Sequence, residues 1–357
     1  MKAQDIIRLR LFNQKLSKSS ETTPAEIVSW FGAMQAQDFA GAKWSIGLRG
    51  KGMTEMDVAR AIAEKQIIRT WPMRGTLHFV VPEDVRWLLS LLAPRIISGA
   101  AGRHRQLELD ALTFSKSQDI LENALQGGKQ LTRKEVYDIL NLNGISTEGQ
   151  RGIHIINYLA MKQVLCHGAH QDKQPTYVLL DDWVPVGHAL STEESLHRVA
   201  VKYFQSHGPA TLADFVWWTG LKISDARLAL NSASPLLSSF EFNGQKYWFS
   251  SDLPDRLPAK NISLLPGFDE LMLGYTDRKL LVQEALLPKI VPGNNGMFMP
   301  TIVINGKVEG LWKRTFKKDR IVIQLLPFDK IHDKYKDDIL QAAGQFGHYL
   351  GTPIELC

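Results

Sequence analysis

Cysteine and long apolar runs are both scarce in this sequence. Only Cys166 and Cys357 occur among 357 residues, which excludes the disulfide framework of small secreted domains and is typical of a reducing compartment. No run approaches the roughly 18 consecutive apolar residues of a membrane-spanning helix. Met1–Arg10 also contains no apolar stretch followed by a small-residue cleavage site, so we expect no export. These absences predict a cytoplasmic protein without a membrane partner.

Charge of one sign is not strongly in excess either. The net charge is +5 and the pI is about 9.0, a slight preference for polyanionic partners that does not identify one. A hydrophobic content of 44% and a charged content of 22% are typical of a folded globular protein. The length exceeds what one hydrophobic core fills, so we expect several packed units.

The clearest local pattern lies in residues 191–250. Capping residues precede three helical stretches, which start after Ser191, Thr211 and Ser224. Asn243-Gly244 then joins two aromatic-rich runs, a strong signal for a β-hairpin. Three helices followed by a hairpin predict a winged helix-turn-helix unit.

Residues 130–181 repeat this plan. Thr132 caps a helix that we expect to end at Leu142, and a longer helix covers roughly residues 149–163. Strands at Val164–Cys166 and 176–180 then flank a polar wing tip. A third version near the start is predicted from two helices and one strand, at Pro24–Met34, Thr54–Lys65 and Gly75–Val81.

From about residue 256 the sequence is rich in strand signals and ends in a helix. The predicted segments are strands near 264–268, 301–308 and 321–325, a hairpin turn at Asn305-Gly306, a loop at 292–296, and a helix over 333–350 ended by Gly351. The fold class is therefore predicted as α+β: tandem winged helix-turn-helix units, then a small β-barrel or sheet and a terminal helix. The expected domains are 1–115, 116–190, 191–255 and 256–357.

Two polar strings are unusual for a packed core. Met34-Gln35-Ala36-Gln37-Asp38 places two amides two positions apart after an apolar run, and Arg69–His78 contains two arginines, a tryptophan and a histidine. A surface that holds a planar, electron-poor group beside phosphates would use such a set. The alternative is that Gln35 and Gln37 end the preceding helix and bond its last carbonyls. From the residues alone this alternative is favoured, because isolated glutamines are poor catalytic markers.

Taken together, the strings resemble the tandem winged-helix DNA glycosylases of the AlkZ/YcaQ type. The likeness extends over nearly the whole chain through Gln35-Ala36-Gln37, 73–78, Gly208-Pro209-Ala210-Thr211 and 264–269. The resemblance implies that Gln35 and Gln37 are the catalytic motif. The YcaQ branch has Gln-x-Asp, so Gln37 places the chain nearer the AlkZ branch. The resemblance also implies removal of bulky or cross-linking N-alkylated purines from duplex DNA.

The chemistry suits uncharged amides. Glycosidic cleavage passes through an oxocarbenium-like sugar, and an N7- or N3-alkylated purine is already cationic, so it leaves without a strong general acid. We assign Gln37 mainly to the attacking water and Gln35 mainly to orientation, with Asp38 as a candidate electrostatic helper. No nucleophile lies in the motif, so a monofunctional hydrolase is expected.

Further candidates for DNA contact lie near these strings. Lys43, Trp44 and Arg49 flank the glutamines and are candidates for the same cleft. In the second string the candidates are Arg69, Arg74 and His78 for phosphate or strand contact and Trp71 as a stacking face. Their alternative is an edge strand with Trp71 in the core and the His78 ring bonded to backbone. A basic run around Trp312 suits either a polyanion-facing loop or a solvated face: Lys313, Arg314, Lys317, Lys318 and Arg320.

Other constellations are weaker. Cys166-His167 with His170 supplies only three neighbouring candidate ligands, so we expect no metal site and no cofactor. Asp269 and Glu270 have the chemistry of a glycosidase pair, but on a predicted strand they would point to opposite faces, which favours a structural role.

We therefore predict a monomeric, metal-free DNA glycosylase that acts on duplex DNA with alkylated purines and is nucleoid-associated when bound. Two alternatives stay open. A non-enzymatic winged-helix regulator would need paired half-sites and a dimer, and it would not require the glutamine pair. A protein-interaction scaffold would lack a steep salt dependence of DNA affinity.

Overall fold

A computed structural model describes residues 1–17, 21–171, 174–187, 189–253, 257, 261–294 and 296–357. The α-helices are α1 (Ala3–Asn13), α2 (Pro24–Phe31), α3 (Phe39–Gly47), α4 (Glu55–Ala63), α5 (Pro82–Gln106), α6 (Ala111–Leu125), α7 (Arg133–Leu142), α8 (Arg151–Met161), α9 (Leu180–Trp183), α10 (Thr192–His207), α11 (Leu212–Thr219), α12 (Ile223–Ala233), α13 (Glu270–Leu273), α14 (Leu287–Ile290) and α15 (Lys336–Leu350). The strands are β1 (Met34–Gln35), β2 (Ile68–Met73), β3 (Thr76–Val80), β4 (Leu131–Thr132), β5 (Leu165–His167), β6 (Thr176–Leu179), β7 (Leu237–Phe242), β8 (Gln245–Ser250), β9 (Ile262–Leu265), β10 (Thr301–Ile304), β11 (Lys307–Phe316), β12 (Ile321–Pro327) and β13 (Ile354–Leu356).

The chain forms two compact units. The split unit comprises Met1–Ala59 and Leu196–Cys357, and the inserted unit comprises Arg60–Ser195. The four predicted domain ranges stay a prediction. The boundary between 255 and 256 lies outside the described residues, as does Asn295 of the predicted loop.

The inserted unit contains the second winged helix. Asp110 and Thr132 cap α6 and α7 through their side chains, and α8 follows. The predicted helix over 149–163 is real but shorter, spanning Arg151–Met161. Within this unit the strands are ordered β3-β2-β5-β6-β4, and β5 pairs antiparallel with β6 to form the wing. The core includes Phe114 stacked on Tyr158 at 3.8 Å.

The split unit contains the third winged helix, built as its sequence predicted. Thr211 caps α11 with a reciprocal Asp214 bond, and Gly220 ends that helix in the left-handed conformation. Strands β7 and β8 pair antiparallel. Asn243 and Gly244 both have positive φ, 50° and 72°, which is the geometry that a tight hairpin turn requires.

The C-terminal part of the split unit is a curled sheet closed by the last helix, which confirms the predicted sheet and terminal helix. Its strands are ordered β13-β12-β11-β10-β9, and Asn305-Gly306 forms the β10–β11 turn. The helix starts with a 3₁₀ turn at Asp333–Tyr335, continues as α15 and ends at Gly351. Phe346 of α15 lies 5.0 Å from Trp44 and 5.3 Å from Trp312, ring centre to ring centre.

The helix α5 spans 25 residues and carries charged side chains near both of its ends. Within the part of the chain that the structure describes, no helix combines the length and apolar character needed to cross a membrane.

Candidate active site

The glutamine motif lies beyond the end of α2. That helix ends at Phe31, and Gly32 turns the chain with a φ of 76°, so the predicted extension to Met34 is wrong. Gln35 belongs to β1, and Gln37 lies in the bend that leads into α3. Neither glutamine therefore belongs to the terminal turn of α2.

The two glutamines have different surroundings. Gln35 is buried, with 9% of its surface exposed, whereas Gln37 is exposed to solvent. Asp38 is half-buried and occupies the N-cap position of α3 with an extended backbone. Its carboxylate lies so close to Gly41 that a side chain at that position would collide with it. The motif thus presents Gln37 to the outside while its neighbours are packed.

A buried carboxylate, that of Glu270, accepts a hydrogen bond from the backbone of the motif. The backbone N–H of Gln35 donates to Oε1 of Glu270 at 2.8 Å, and Glu270 is only 1% exposed. Its second oxygen, Oε2, accepts from Nε1–H of Trp218 at 3.1 Å and lies 3.3 Å from Nε2 of His207. Burying a carboxylate is costly unless donors surround it, and here three donor groups do.

The neighbouring carboxylate has a different partner. Oδ2 and Oδ1 of Asp269 accept from the two terminal nitrogens of Arg49 at 2.8 and 2.9 Å, and the Ser45 hydroxyl also donates to Oδ2 at 2.6 Å. Both ends of this ion pair are fully buried. The prediction that Asp269 and Glu270 lie on a strand is wrong: β9 ends at Leu265, Asp269 is the N-cap of α13, and Glu270 is the first residue of that helix.

His207 completes the polar cluster. Burial lowers the pKa of its imidazole, against the opposing effect of the hydrogen bond to Glu270, so the ring is neutral near pH 7. Its Nδ1 lies 2.8 Å from the Ser206 hydroxyl, and the ring stacks on Tyr203 with centres 4.7 Å apart. A neutral imidazole that carries its proton on Nε2 donates that proton to Oε2 of Glu270.

Two of the three candidates flanking the glutamines lie in the interior. Trp44 is 2% exposed and donates its indole N–H to the Leu264 carbonyl at 2.9 Å. Arg49 is completely buried in its pair with Asp269. Neither side chain is exposed to solvent, which corrects their assignment to DNA contact. Lys43 is largely buried too and forms an ion pair with Glu55.

The second string is packed inside the inserted unit. Trp71 is buried with its ring 5.0 Å from that of His167, which corrects its assignment as a stacking face for bases. The buried His78 ring has Nδ1 2.9 Å from the Thr76 carbonyl and Nε2 3.2 Å from a terminal nitrogen of Arg74. The backbone-bonding alternative for His78 therefore matches the structure.

The two arginines of that string differ in exposure. Arg69 is buried in β2. Arg74 is half-buried at the turn between β2 and β3 and has a φ of 54°, a conformation that few non-glycine residues adopt. Arg74 remains the candidate of this string with access to solvent.

The basic run spans the end of β11 and the connection to β12: Lys313 and Arg314 lie in β11, whereas Lys317, Lys318 and Arg320 lie in the connecting loop. Lys313, Lys317 and Lys318 are exposed, and Arg314 is half-buried. Arg320 is engaged by Asp319 and by Glu355, the latter at 2.6 Å. Three exposed lysines on one hairpin form a surface that attracts phosphate.

The wing residues Cys166 and His167 are buried and pack in the core of the inserted unit. Burial raises the pKa of the Cys166 thiol, which disfavours the thiolate that binds metal. The His167 ring lies between Trp71 and Tyr177, at 5.0 and 4.7 Å. Burial, aided by the charge of Arg69, holds the pKa of His167 well below its ordinary value.

His167 should make the protein sensitive to acid. In the unfolded chain it binds a proton below a pH of about 6.5, whereas in the folded chain it does not. Its contribution to stability is therefore complete above that pH and is lost as the pH falls, by up to about 1.4 kcal/mol per pH unit. His167→Phe should make the free energy of unfolding, measured with urea, less dependent on pH between about pH 6.5 and 5. His348→Phe, at an exposed position, is the matched control, and an unchanged slope in His167→Phe would contradict the assignment.

Comparison with known proteins identifies the family of this chain. A family model described as DNA glycosylase AlkZ-like matches residues 28–349. The winged-helix chain with its glutamine motif is therefore an enzyme of the DNA glycosylase class, and DNA is its substrate. Within that class, the chain belongs to the AlkZ-like DNA glycosylase family. The alternatives of a non-enzymatic regulator and of a scaffold are wrong.

A curated sequence and a solved structure, both of AlkZ from Streptomyces sahachiroi, illustrate the likeness. An interstrand DNA cross-link repair glycosylase is 25% identical over 329 residues, which cover 87% of each chain. A solved structure of the S. sahachiroi DNA glycosylase AlkZ has a TM-score of 0.83 at 21% identity and covers 100% of both chains. The α+β fold class is thereby confirmed.

Glu270, His207 and Trp218 were not identified from sequence as part of the site. One signal was present: Asp269-Glu270 is followed by Leu271-Met272-Leu273, and carboxylates beside an apolar run are candidates for burial. Their partners are far away in sequence, however, and only the fold brings them to Gln35.

Proposed function

We propose that this glycosylase hydrolyses the N-glycosidic bond of N7- or N3-alkylated purines in duplex DNA, including bulky and cross-linked adducts, with Gln35 and Gln37 as its catalytic motif. The observation that supports this best is the contrast between the two residues. The Gln35 backbone is bonded to a buried carboxylate, while Gln37 is exposed two positions later. This arrangement anchors the backbone beside an uncharged amide that is exposed to solvent.

Because the departing purine is already cationic, the enzyme needs mainly to position the attacking water and to stabilise the positive charge on the sugar. Water attacks C1′ of the sugar, the C1′–N9 bond breaks, and its electron pair neutralises the cationic purine. The water loses a proton to solvent, and the DNA keeps an abasic site. The Gln37 carbonyl accepts a hydrogen bond from the water and turns its negative end toward the positive charge that develops on the sugar. Gln35 orients the motif, and Asp38 adds electrostatic support.

A monofunctional reaction follows from the same residues. Met34–Asp38 contains no amine or thiol nucleophile that would form a covalent intermediate with the sugar. We propose that the enzyme works as a metal-free monomer in the cytoplasm, associated with the nucleoid when bound to DNA. The scarcity of cysteine supports this compartment.

The cross-linked substrate is proposed from one further consideration. The S. sahachiroi relative is named for repair of interstrand cross-links, and this chain shares 25% identity with it. An N7–N7 guanine cross-link also has two cationic purines, so the same leaving-group argument applies to it.

Product analysis tests the proposal. The protein is incubated with a duplex that carries one N7-methylguanine, and separately with a duplex cross-linked by a nitrogen mustard. Strand scission after mild alkali reports abasic sites. We expect abasic sites at the methylated base and separation of the cross-linked strands. Intact glycosidic bonds in both substrates would contradict the proposed function.

We propose that the β11–β12 hairpin contacts phosphates. Replacing Lys313, Lys317 and Lys318 with glutamine should reduce the slope of log affinity against log salt by about one for each phosphate that is no longer neutralised. Fluorescence anisotropy with undamaged duplex measures the slope. Glutamine at Lys279, Lys334 and Lys336, which are exposed elsewhere in the split unit, is the matched control. A slope that survives replacement of all three hairpin lysines would show that the run is an ordinary solvated surface.

A further inference from the structure

The segment from β9 to α13 holds the glutamine motif on both sides. On the N-terminal side, Glu270 accepts the backbone N–H of Gln35 at 2.8 Å. On the C-terminal side, Asp269 accepts from Ser45 of α3 at 2.6 Å and from Arg49, which follows α3, at 2.8 Å. We call these two adjacent residues the carboxylate clamp. Ala36, Gln37 and Asp38 lie between the two points that it holds.

The clamp itself is fixed in place. Phe268, just before it, has a φ of 62°, a conformation that a bulky side chain adopts only when its surroundings impose it. Gly267 and Gly274 border the clamp, and neither position has room for a side chain. A methyl group on Gly267 would lie 2.5 Å from the Phe298 carbonyl, and one on Gly274 would collide with His207.

The two carboxylates have different physical tasks. Asp269 forms a two-pronged ion pair with Arg49, which packs α3 against the clamp. Glu270 uses one oxygen for the Gln35 backbone and the other for Trp218 and His207. Truncating Glu270 to alanine removes the Gln35 contact and leaves the Arg49 pair with Asp269 in place.

We propose that Glu270 is a positioning residue for base excision, which acts by holding the Gln35 backbone so that the Gln37 amide meets the attacking water at the correct place. This inference rests on the proposed function. Catalysis by a positioned water is sensitive to small displacements, since an error of about 1 Å can cost roughly 10²-fold in rate. Glu270 does not touch the substrate; it acts through Gln35.

The test compares three single variants of the full-length protein. Glu270→Ala removes the acceptor. Glu270→Gln keeps one carbonyl oxygen for the Gln35 N–H but offers an amide to Trp218 and His207. Asp214→Asn is the matched control, because Asp214 is also buried in the split unit and accepts two backbone N–H groups, those of Thr211 at 3.0 Å and Thr276 at 2.9 Å.

Three measurements are made on each variant. Single-turnover excision of N7-methylguanine at saturating enzyme gives the chemical rate, and anisotropy gives the affinity for duplex. Hydrogen exchange of the Gln35 amide, followed by NMR, reports the contact itself without any reaction. If Glu270 contributed only to stability, its replacement would not change the saturated rate of the folded enzyme. It would also not accelerate hydrogen exchange selectively at the Gln35 amide.

In Glu270→Ala we expect the saturated rate to fall by about 10²-fold, with duplex affinity changed by less than about threefold. The Gln35 amide should exchange at least about tenfold faster. Glu270→Gln should recover much of the rate and protection, and Asp214→Asn should change neither.

Wild-type protection of the Gln35 amide in Glu270→Ala would overturn the inference, as would a wild-type excision rate in that variant. Equal losses in Asp214→Asn would also overturn it, because they would reveal a general effect on folding. If the wild-type enzyme excised no alkylated purine, the proposed function would fail and the role in excision with it. The exchange measurement would still decide separately whether Glu270 holds the Gln35 backbone.

Discussion

Gln37→Ala is expected to slow single-turnover excision of N7-methylguanine by about 10²-fold, the cost of losing one positioned hydrogen-bonding group. Gln37 is exposed, so its truncation leaves no cavity in the core, and folding should be unaffected. Its proposed partner is the attacking water rather than a phosphate, so affinity for duplex should stay within about threefold. The loss should therefore appear in the saturated rate and not in binding.

A matched control separates this effect from the general loss of a surface amide. Gln66 is an exposed glutamine in the inserted unit, and Gln66→Ala makes the same chemical change away from the motif. It should excise at the wild-type rate. If Gln37→Ala did the same under single-turnover conditions, Gln37 would not act on the water.

Arg49→Met should destabilise the fold by about 3–5 kcal/mol, the range measured when one partner of a buried ion pair is removed. Arg49 and Asp269 are both fully buried, so the variant leaves the Asp269 carboxylate in the interior without its cation. Urea denaturation followed by circular dichroism measures the loss. Because Arg49 also donates to the Gln14 and Ser45 carbonyls, the replacement leaves two further acceptors unsatisfied.

A double variant distinguishes loss of the pair from loss of packing. Arg49→Met combined with Asp269→Leu removes both charges and should recover part of the stability, since a buried pair replaced by apolar residues is often neutral. The sequence had suggested that Arg49 contacts DNA. A stable Arg49→Met protein with weakened duplex affinity would support that role and contradict the burial argument.

Local features of the fold were predictable because their causes are local. The turns at Asn243-Gly244 and Asn305-Gly306 need two residues that tolerate positive φ, and both were found. Thr132 and Thr211 cap their helices as predicted. The end of α2 was missed, since Gly32 stops that helix before Met34.

The surroundings of the candidate site were much less predictable. The types of Trp44, Trp71, Arg49 and Arg69 suit a DNA surface, yet all four are buried. Residue type does not reveal which face of an element is covered, and a buried arginine needs a partner that the sequence does not indicate. Asp269 is 220 positions from Arg49, and Glu270 is 235 positions from Gln35. Residues so far apart in sequence are brought into contact only by tertiary folding.

The family could be recognised because it depends on short strings that stay together in sequence. Gln35-Ala36-Gln37 and the segment Leu264–Asp269 belong to the same unit of the fold, and the second leads directly into the carboxylate that holds the first. The motif was thus visible in the sequence, whereas its support was visible only in the structure.

The central claim is that two uncharged amides suffice because the departing purine is already cationic. The most direct test compares two duplexes with the same sequence, one with N7-methylguanine and one with 7-methyl-7-deazaguanine. The two bases have nearly the same shape, but only the first carries the positive charge. We predict that the enzyme binds both duplexes and releases only the charged base. Release of both bases at similar rates would contradict the account.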